Sequence, residues 1–170
     1  ARYVGDEVNI AFEFNLAQAI LDSLNQGDGS PLAFKLKSVL EVYPEGQFAT
    51  FLTNHDMARA LTQLGSSPEK AKVAAGLLLT LPGVPFIYYG EEIGLTGPMP
   101  DINVRKPMQW DASANAGFTT GEPWQAVGSG YQQVNVADEG ADPNSLLSSY
   151  RQLIQLRQSN AALRAGDTFL

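Results

Sequence analysis

The chain of 170 residues contains no cysteine and a single histidine, His55. Disulfides and thiolate metal sites are thereby excluded, and so is any metal site built from several imidazoles. Basic residues are also scarce, with 11 Lys and Arg against 18 Asp and Glu, a formal charge of -7 and no Lys/Arg cluster. A nucleic-acid partner normally requires a basic footprint, so none is expected. No run approaches the roughly 18 apolar residues of a membrane span, so no membrane partner is expected either. The nucleotide fingerprints G-x-G-x-x-G and G-x-x-x-x-G-K-[ST] are missing. The first residue is Ala1 rather than Met, and no signal-like segment follows it. The chain is therefore expected to be part of a longer one, with its compartment left open.

What is present is a folding sequence, 44% hydrophobic and 17% charged, long enough to bury a core. Three times it reads strand, then helix. Val8 to Phe14 alternates apolar and polar residues, a period-2 strand pattern. Asn15 is expected to cap the next helix with Gln18 as its capping-box partner, and Leu16, Ile20 and Leu24 line one face before Gly27 ends it. Ser30-Pro31 opens a short helix through Leu36, Val39 and Leu40. Phe48 to Thr53 reads as the second strand. Ser67-Pro68-Glu69 starts a helix that is apolar nearly all round from Val73 to Thr80 and needs cover on most sides. Val84 to Tyr89 is an unbroken apolar run, as in buried parallel strands. A long loop without periodicity follows, at about 97–142, and a last helix at about 145–160.

Repeated βα units mean a parallel sheet covered by helices, in a doubly wound or a barrel fold. Either places chemistry at the C-terminal ends of strands. That rule points to Asn15, to Asn54-His55-Asp56, and to Tyr89 through Glu92. At the second place a carboxylate, an imidazole and an amide follow one strand directly. Such a carboxylate can brace sugar hydroxyls and stabilise positive charge at an anomeric carbon, and a neutral imidazole can donate to a hydroxyl. The alternative is that Asn54 and Asp56 merely cap the turn. Glu91 and Glu92 are expected to hold loop backbone. Arg105 can reach a sugar or pair with a loop carboxylate. Tyr88, Tyr89, Trp110 and Trp124 can offer stacking faces or fill the core.

Phe51-Leu52-Thr53-Asn54-His55-Asp56, with Arg59 three residues later, resembles the fourth conserved region of the α-amylase family of glycoside hydrolases. Gly83 to Gly94 is similar to that family's eighth barrel strand and loop. Arg105-Lys106-Pro107-Met108-Gln109-Trp110, with Gly117-Phe118 and Pro123-Trp124 after it, resembles a loop of the branch holding oligo-1,6-glucosidases and trehalose synthases, although Lys106 replaces the small hydroxyl residue common there. Ser145 to Arg157 looks like the last barrel helix, so the resemblance runs from about Val8 to Gly166.

The resemblance implies that residues 1–170 are a partial catalytic domain, the C-terminal portion of a (β/α)8 TIM barrel with about three βα units. It implies retaining hydrolysis of α-glucosidic bonds in starch-type glucans or oligosaccharides, through a nucleophile and an acid/base about 5 Å apart. Asp56 matches the third, transition-state-stabilising carboxylate. His55 and Arg105 are implied to bind substrate, with Asn54 and Arg59 supporting. The other two catalytic carboxylates belong to regions that nothing in this sequence resembles. The missing N-terminal half of the barrel is therefore an implied partner, beside an α-glucan substrate. No metal or cofactor is implied in this segment, although calcium belongs to complete enzymes of the family. The same motifs fit a trehalose synthase-like isomerase or transferase, and a non-catalytic sugar-binding homologue is a further alternative.

Overall fold

A computed structural model describes residues 2–165. The chain divides into two compact units, one comprising the chain up to Leu52, Val73–Phe86 and the residues from Leu153 onward, the other Thr53–Lys72 and Ile87–Gln152.

The first unit holds a three-stranded parallel sheet, β1 (Ala11–Phe12), β2 (Phe48–Thr50) and β3 (Val84–Pro85), in that order. Ala11 pairs with Phe48, and Ala49 with Val84. Helices α1 (Phe14–Gln26) and α2 (Ser30–Val42) form the crossover that parallel pairing of β1 with β2 requires. Leu16, Ile20 and Leu21 are completely buried on α1, each contributing about 2 kcal/mol of transfer free energy. They sit against α2, which buries Leu32, Leu36 and Val39.

The caps differ from expectation in instructive ways. Asn15 lies inside α1, and Glu13 is the N-cap, its Oε1 accepting from the Asn15 N–H at 3.2 Å. Glu13 Oε2 accepts from the Tyr43 hydroxyl at 2.9 Å, which occupies this strand-end carboxylate in structure. Gln18 donates to Asp22 instead of reaching back to a cap. Gly27 ends α1 in the left-handed conformation, as its type predicts. Ser30 is the first residue of α2 rather than its cap, with its N–H and hydroxyl bound by Asp28, and α2 runs two residues past Leu40.

All three strands are shorter than their apolar runs. In β3 the cause is partly Pro85, which has no N–H to donate. The run from Val84 to Tyr89, apolar as in buried parallel strands, is only partly covered: Val84, Phe86, Ile87 and Tyr89 are exposed. A strand apolar on both faces needs cover on both, and the first unit supplies less than that. Helix α4 (Pro68–Thr80) is covered on most sides in the same incomplete way, with Ala74, Ala75, Leu78 and Leu79 buried and Val73 exposed. The end of α4 is held by Arg157, whose guanidinium donates to the carbonyls of Leu79, Leu81 and Gly83 at 2.9, 3.0 and 2.6 Å.

The second unit contains α3 (Ala60–Gln63), α5 (Asp101–Val104), α6 (Val136–Ala141) and the first half of α7 (Leu146–Ser159), with 3-10 turns at Glu91–Ile93 and Ala114–Gly117. A further short helix, α8 (Ala161–Ala165), follows α7 in the chain. The segment after Gly97 is thus not devoid of regular structure; its elements are one or two turns long, too short to show a helical period. Ile93, Leu95, Met108 and Leu147 form the core here, with Val136 packed on it. The N–H groups of Val136 and Ala137 donate to the carbonyls of Gln109 and Trp110, both at 3.0 Å. Of the span suggested by the resemblance, Gly166 lies outside the described residues.

Candidate active site

The segment after β2 builds the site. Asn54 Oδ1 accepts from the Asp56 N–H at 2.9 Å, closing an Asx turn that lifts the His55 and Asp56 side chains outward. The turn-capping alternative is thus realised by Asn54, and the Asp56 carboxylate takes no part in it. His55 and Asp56 are 62% and 64% exposed, open enough to meet a ligand. His55 Nε2 lies 3.4 Å from Asp56 Oδ2. Arg105 reaches in from the end of α5, its Nη2 2.9 Å from Asp56 Oδ1 and its Nε donating to the His55 carbonyl at 3.0 Å. The neighbours His55 and Asp56 thus form one cluster with Arg105, which is distant in sequence.

Arg105 also realises its alternative reading, because Nη2 lies 2.7 Å from Asp101 Oδ2. Sequence reasoning missed Asp101. The available signal was its i,i+4 spacing from Arg105 on one helix face.

Arg59 occupies a different setting, buried to 1% exposure. Its Nη1 donates to the Tyr89 carbonyl at 2.6 Å, its N–H donates to Gly97 O at 2.9 Å, and its guanidinium carbon lies 4.7 Å from the ring centroids of both Tyr88 and Tyr89. Burial pushes the guanidinium below its usual value, while the two tyrosines act the other way. Among the described residues its Nε and Nη2 have no hydrogen-bond partner.

The tyrosines carry the support onward. Tyr88 donates its hydroxyl to Val104 O at 3.1 Å, and Tyr89 donates to Lys106 O at 2.7 Å. These carbonyls flank Arg105, so Arg59 holds two rings whose hydroxyls fix the backbone on both sides of the clamp. Desolvation pushes the Tyr88 hydroxyl up to about 12, which keeps it a donor at neutral pH. Both rings pack against Arg59, and Tyr89, like Trp110 and Trp124, is exposed.

Glu91 does not hold loop backbone. It is buried, and its Oε1 accepts from the Tyr150 hydroxyl at 2.7 Å. Burial pushes its carboxyl up to about 8, more strongly than the Tyr150 bond pulls it down. Burial also raises Glu92, against the N–H groups of its own residue and of Gly90. Among the described residues no group of three or more carboxylates and imidazoles is arranged to hold a metal ion, and no helix is long and apolar enough to cross a membrane.

A family model described as the catalytic domain of alpha amylase matches residues 2–166. The chain belongs to the alpha-amylase family. Alpha-amylase 3 of Dictyoglomus thermophilum is 36% identical over an alignment of 163 residues, which covers 91% of this chain and 32% of that relative. The oligo-1,6-glucosidase of Halalkalibacterium halodurans is 32% identical over 214 residues, covering 97% of this chain and 38% of that relative. The crystal structure of the alpha-amylase from H. orenii superimposes with a TM-score of 0.82 at 40% identity, over 92% of this chain and 33% of that one. The chain thus spans about a third of the length of the proteins it matches, and its α/β architecture is that of a TIM-barrel fragment.

Proposed function

We propose that this chain is the C-terminal portion of the catalytic barrel of a retaining glycoside hydrolase acting on α-glucosidic bonds. In this reading it contributes the sixth, seventh and eighth βα units as one partial domain, residues 1–170. The observation that carries the reading is the Asp56–His55–Arg105 cluster. The Asp56 carboxylate is 64% exposed, so sugar hydroxyls can reach its oxygens and exchange for the contacts made by the protein. Asp56 carries a charge that favours a sugar ring with positive character at its anomeric carbon, so its contacts strengthen as the ring flattens. His55 donates to a neighbouring hydroxyl, Arg105 binds the sugar beside Asp56, and Asn54 and Arg59 support the cluster. The nucleophile and the acid/base belong to the rest of the barrel, which is the chain's partner. Calcium has no step assigned to these residues.

Support for the proposed substrate class comes from the alignment lengths. The alignment with the oligo-1,6-glucosidase is longer than this entire chain, so that relative carries inserted residues which this chain lacks. The alignment with alpha-amylase 3 needs no such insertion. Maltooligosaccharides are therefore the proposed substrates, ahead of α-1,6-linked ones.

The test is Asp56→Asn in the complete enzyme. On maltooligosaccharides kcat should fall on the order of 10²-fold or more, with a much smaller change in KM. A variant with near-wild-type kcat would overturn the assignment. Product analysis on maltose separates hydrolysis, which yields glucose, from isomerisation, which yields trehalose.

A further inference from the structure

We infer that Asp101 is a positioning residue of this site, holding the Arg105 guanidinium in place while a sugar hydroxyl takes over Asp56 Oδ1. The inference rests on the reading of Asp56 and Arg105 given above. Arg105 Nη2 has two hydrogens, and two carboxylate oxygens lie within reach of them, Asp56 Oδ1 at 2.9 Å and Asp101 Oδ2 at 2.7 Å. The Nε hydrogen is directed to the His55 carbonyl. A sugar hydroxyl that binds Asp56 Oδ1 competes directly with the first of these contacts. An arginine held only by Asp56 and one carbonyl would then lose its single charged partner as substrate arrives, and its long side chain would recover rotamers that must be frozen again for binding.

Asp101 removes that conflict. It stands one helical turn before Arg105 on α5, where the i,i+4 spacing brings the side chains together. The backbone around Arg105 is fixed separately by the Tyr88 and Tyr89 hydroxyls. Asp101 therefore fixes the guanidinium and not the loop. All three partners are substantially exposed, and ion pairs of that kind contribute little to folding. The contribution of Asp101 should accordingly appear in substrate binding and not in stability.

The experiment is a double-mutant cycle in the complete enzyme, comparing wild type, Asp101→Asn, Arg105→Ala and the double variant on maltotriose, with thermal melting recorded for each. Asp101→Asn should raise KM about fivefold with kcat changed by less than about twofold and melting nearly unchanged. In the Arg105→Ala background the same substitution should have no further effect, because Asp101 acts only through Arg105. Asp101→Glu, which keeps the charge, should recover part of the lost affinity. If Arg105→Ala raises KM but Asp101→Asn does not, or adds its full effect in the double variant, the positioning role is wrong while the site stands. If Arg105→Ala leaves KM at the wild-type value, the substrate-binding role of Arg105 is wrong and this inference falls with it.

Discussion

Tyr150 on α7 donates its hydroxyl to Glu91 Oε1 at 2.7 Å, inside the buried core of the second unit. Because burial raises the Glu91 carboxyl to about 8, the folded chain keeps this proton at neutral pH. The unfolded chain, with an ordinary glutamate near 4.3, does not. The sign follows: the folded state binds more protons between those values, so stability is fully present below about 4.3 and is lost as pH rises toward about 8. Urea unfolding of the complete protein should therefore show a decline across this window. Glu91→Gln retains an acceptor for Tyr150 without the charge, and should flatten that decline and be the more stable form near pH 8. Parallel pH profiles for the two proteins would contradict this account.

Arg59 gives a second expectation. Its guanidinium lies 4.7 Å from two tyrosine ring centroids and is bound to the Tyr89 carbonyl. Arg59→Ala should destabilise by about 3 kcal/mol, since it opens a cavity and removes both ring contacts. Arg59→Lys should recover only part of this, because an ammonium lacks the planar face that lies between the rings. Both variants should also raise KM for maltotriose, as the Tyr88 and Tyr89 hydroxyls hold the backbone on either side of Arg105. Denaturant unfolding and steady-state kinetics on the same preparations check this; a loss below about 1 kcal/mol would show that the tyrosines stand without Arg59.

The contrast between Asp56 and Asp101 shows how far the sequence was readable. The three βα units, the parallel sheet and the position of Asp56 follow from local periods and from polar residues directly after a strand. Those signals are local, and the chain is consistent with them from Gly27 to α7. Asp101, the Glu91–Tyr150 bond and the tyrosine anchors of Arg105 depend on contacts between distant segments, for which periodicity carries no information. The run from Val84 to Tyr89 follows the same logic: an apolar run reports that cover is needed, and the described residues supply only part of it.

Arg157 supplies a prediction confined to the first unit. Three carbonyls at the end of α4 and just beyond it accept from one guanidinium. Carbonyls at a helix C-terminus lack intrahelical donors, and a cation there also meets the negative end of the helix dipole. Arg157→Ala should cost about 2 kcal/mol. Arg157→Lys should be intermediate, because a single ammonium cannot span three carbonyls with the same fixed geometry. Hydrogen exchange offers the local readout: amides near Leu81 and Gly83 should lose protection before those of α1. Uniform loss across the unit would argue against a local role.

The first unit also ends its sheet in exposed aromatic rings. Phe12 and Phe86 pack edge to face at 4.7 Å, and Phe12 and Phe14 each meet Phe51 at 5.5 and 5.0 Å. Phe12 and Phe86 nevertheless remain 47% and 42% exposed. Among the described residues strand β1 has a single neighbour, β2, which leaves its other edge unpaired there. Exposed aromatic surface beside an open strand edge favours association with another chain. In the proposed function the rest of the barrel provides that cover, since three strands cannot close a barrel whose strand number, tilt and stagger are linked. Residues 1–170 expressed alone should therefore self-associate, and sedimentation should show species larger than a monomer. Phe12→Lys together with Phe86→Lys should shift that distribution toward monomer, by placing charge on the edge. The isolated chain should also fail to hydrolyse a chromogenic maltooligosaccharide, because one bracing carboxylate without a nucleophile and an acid cannot break the bond. Activity that appears on adding the remaining barrel segments would support both halves of the expectation. A stable monomer that hydrolyses the substrate unaided would refute them.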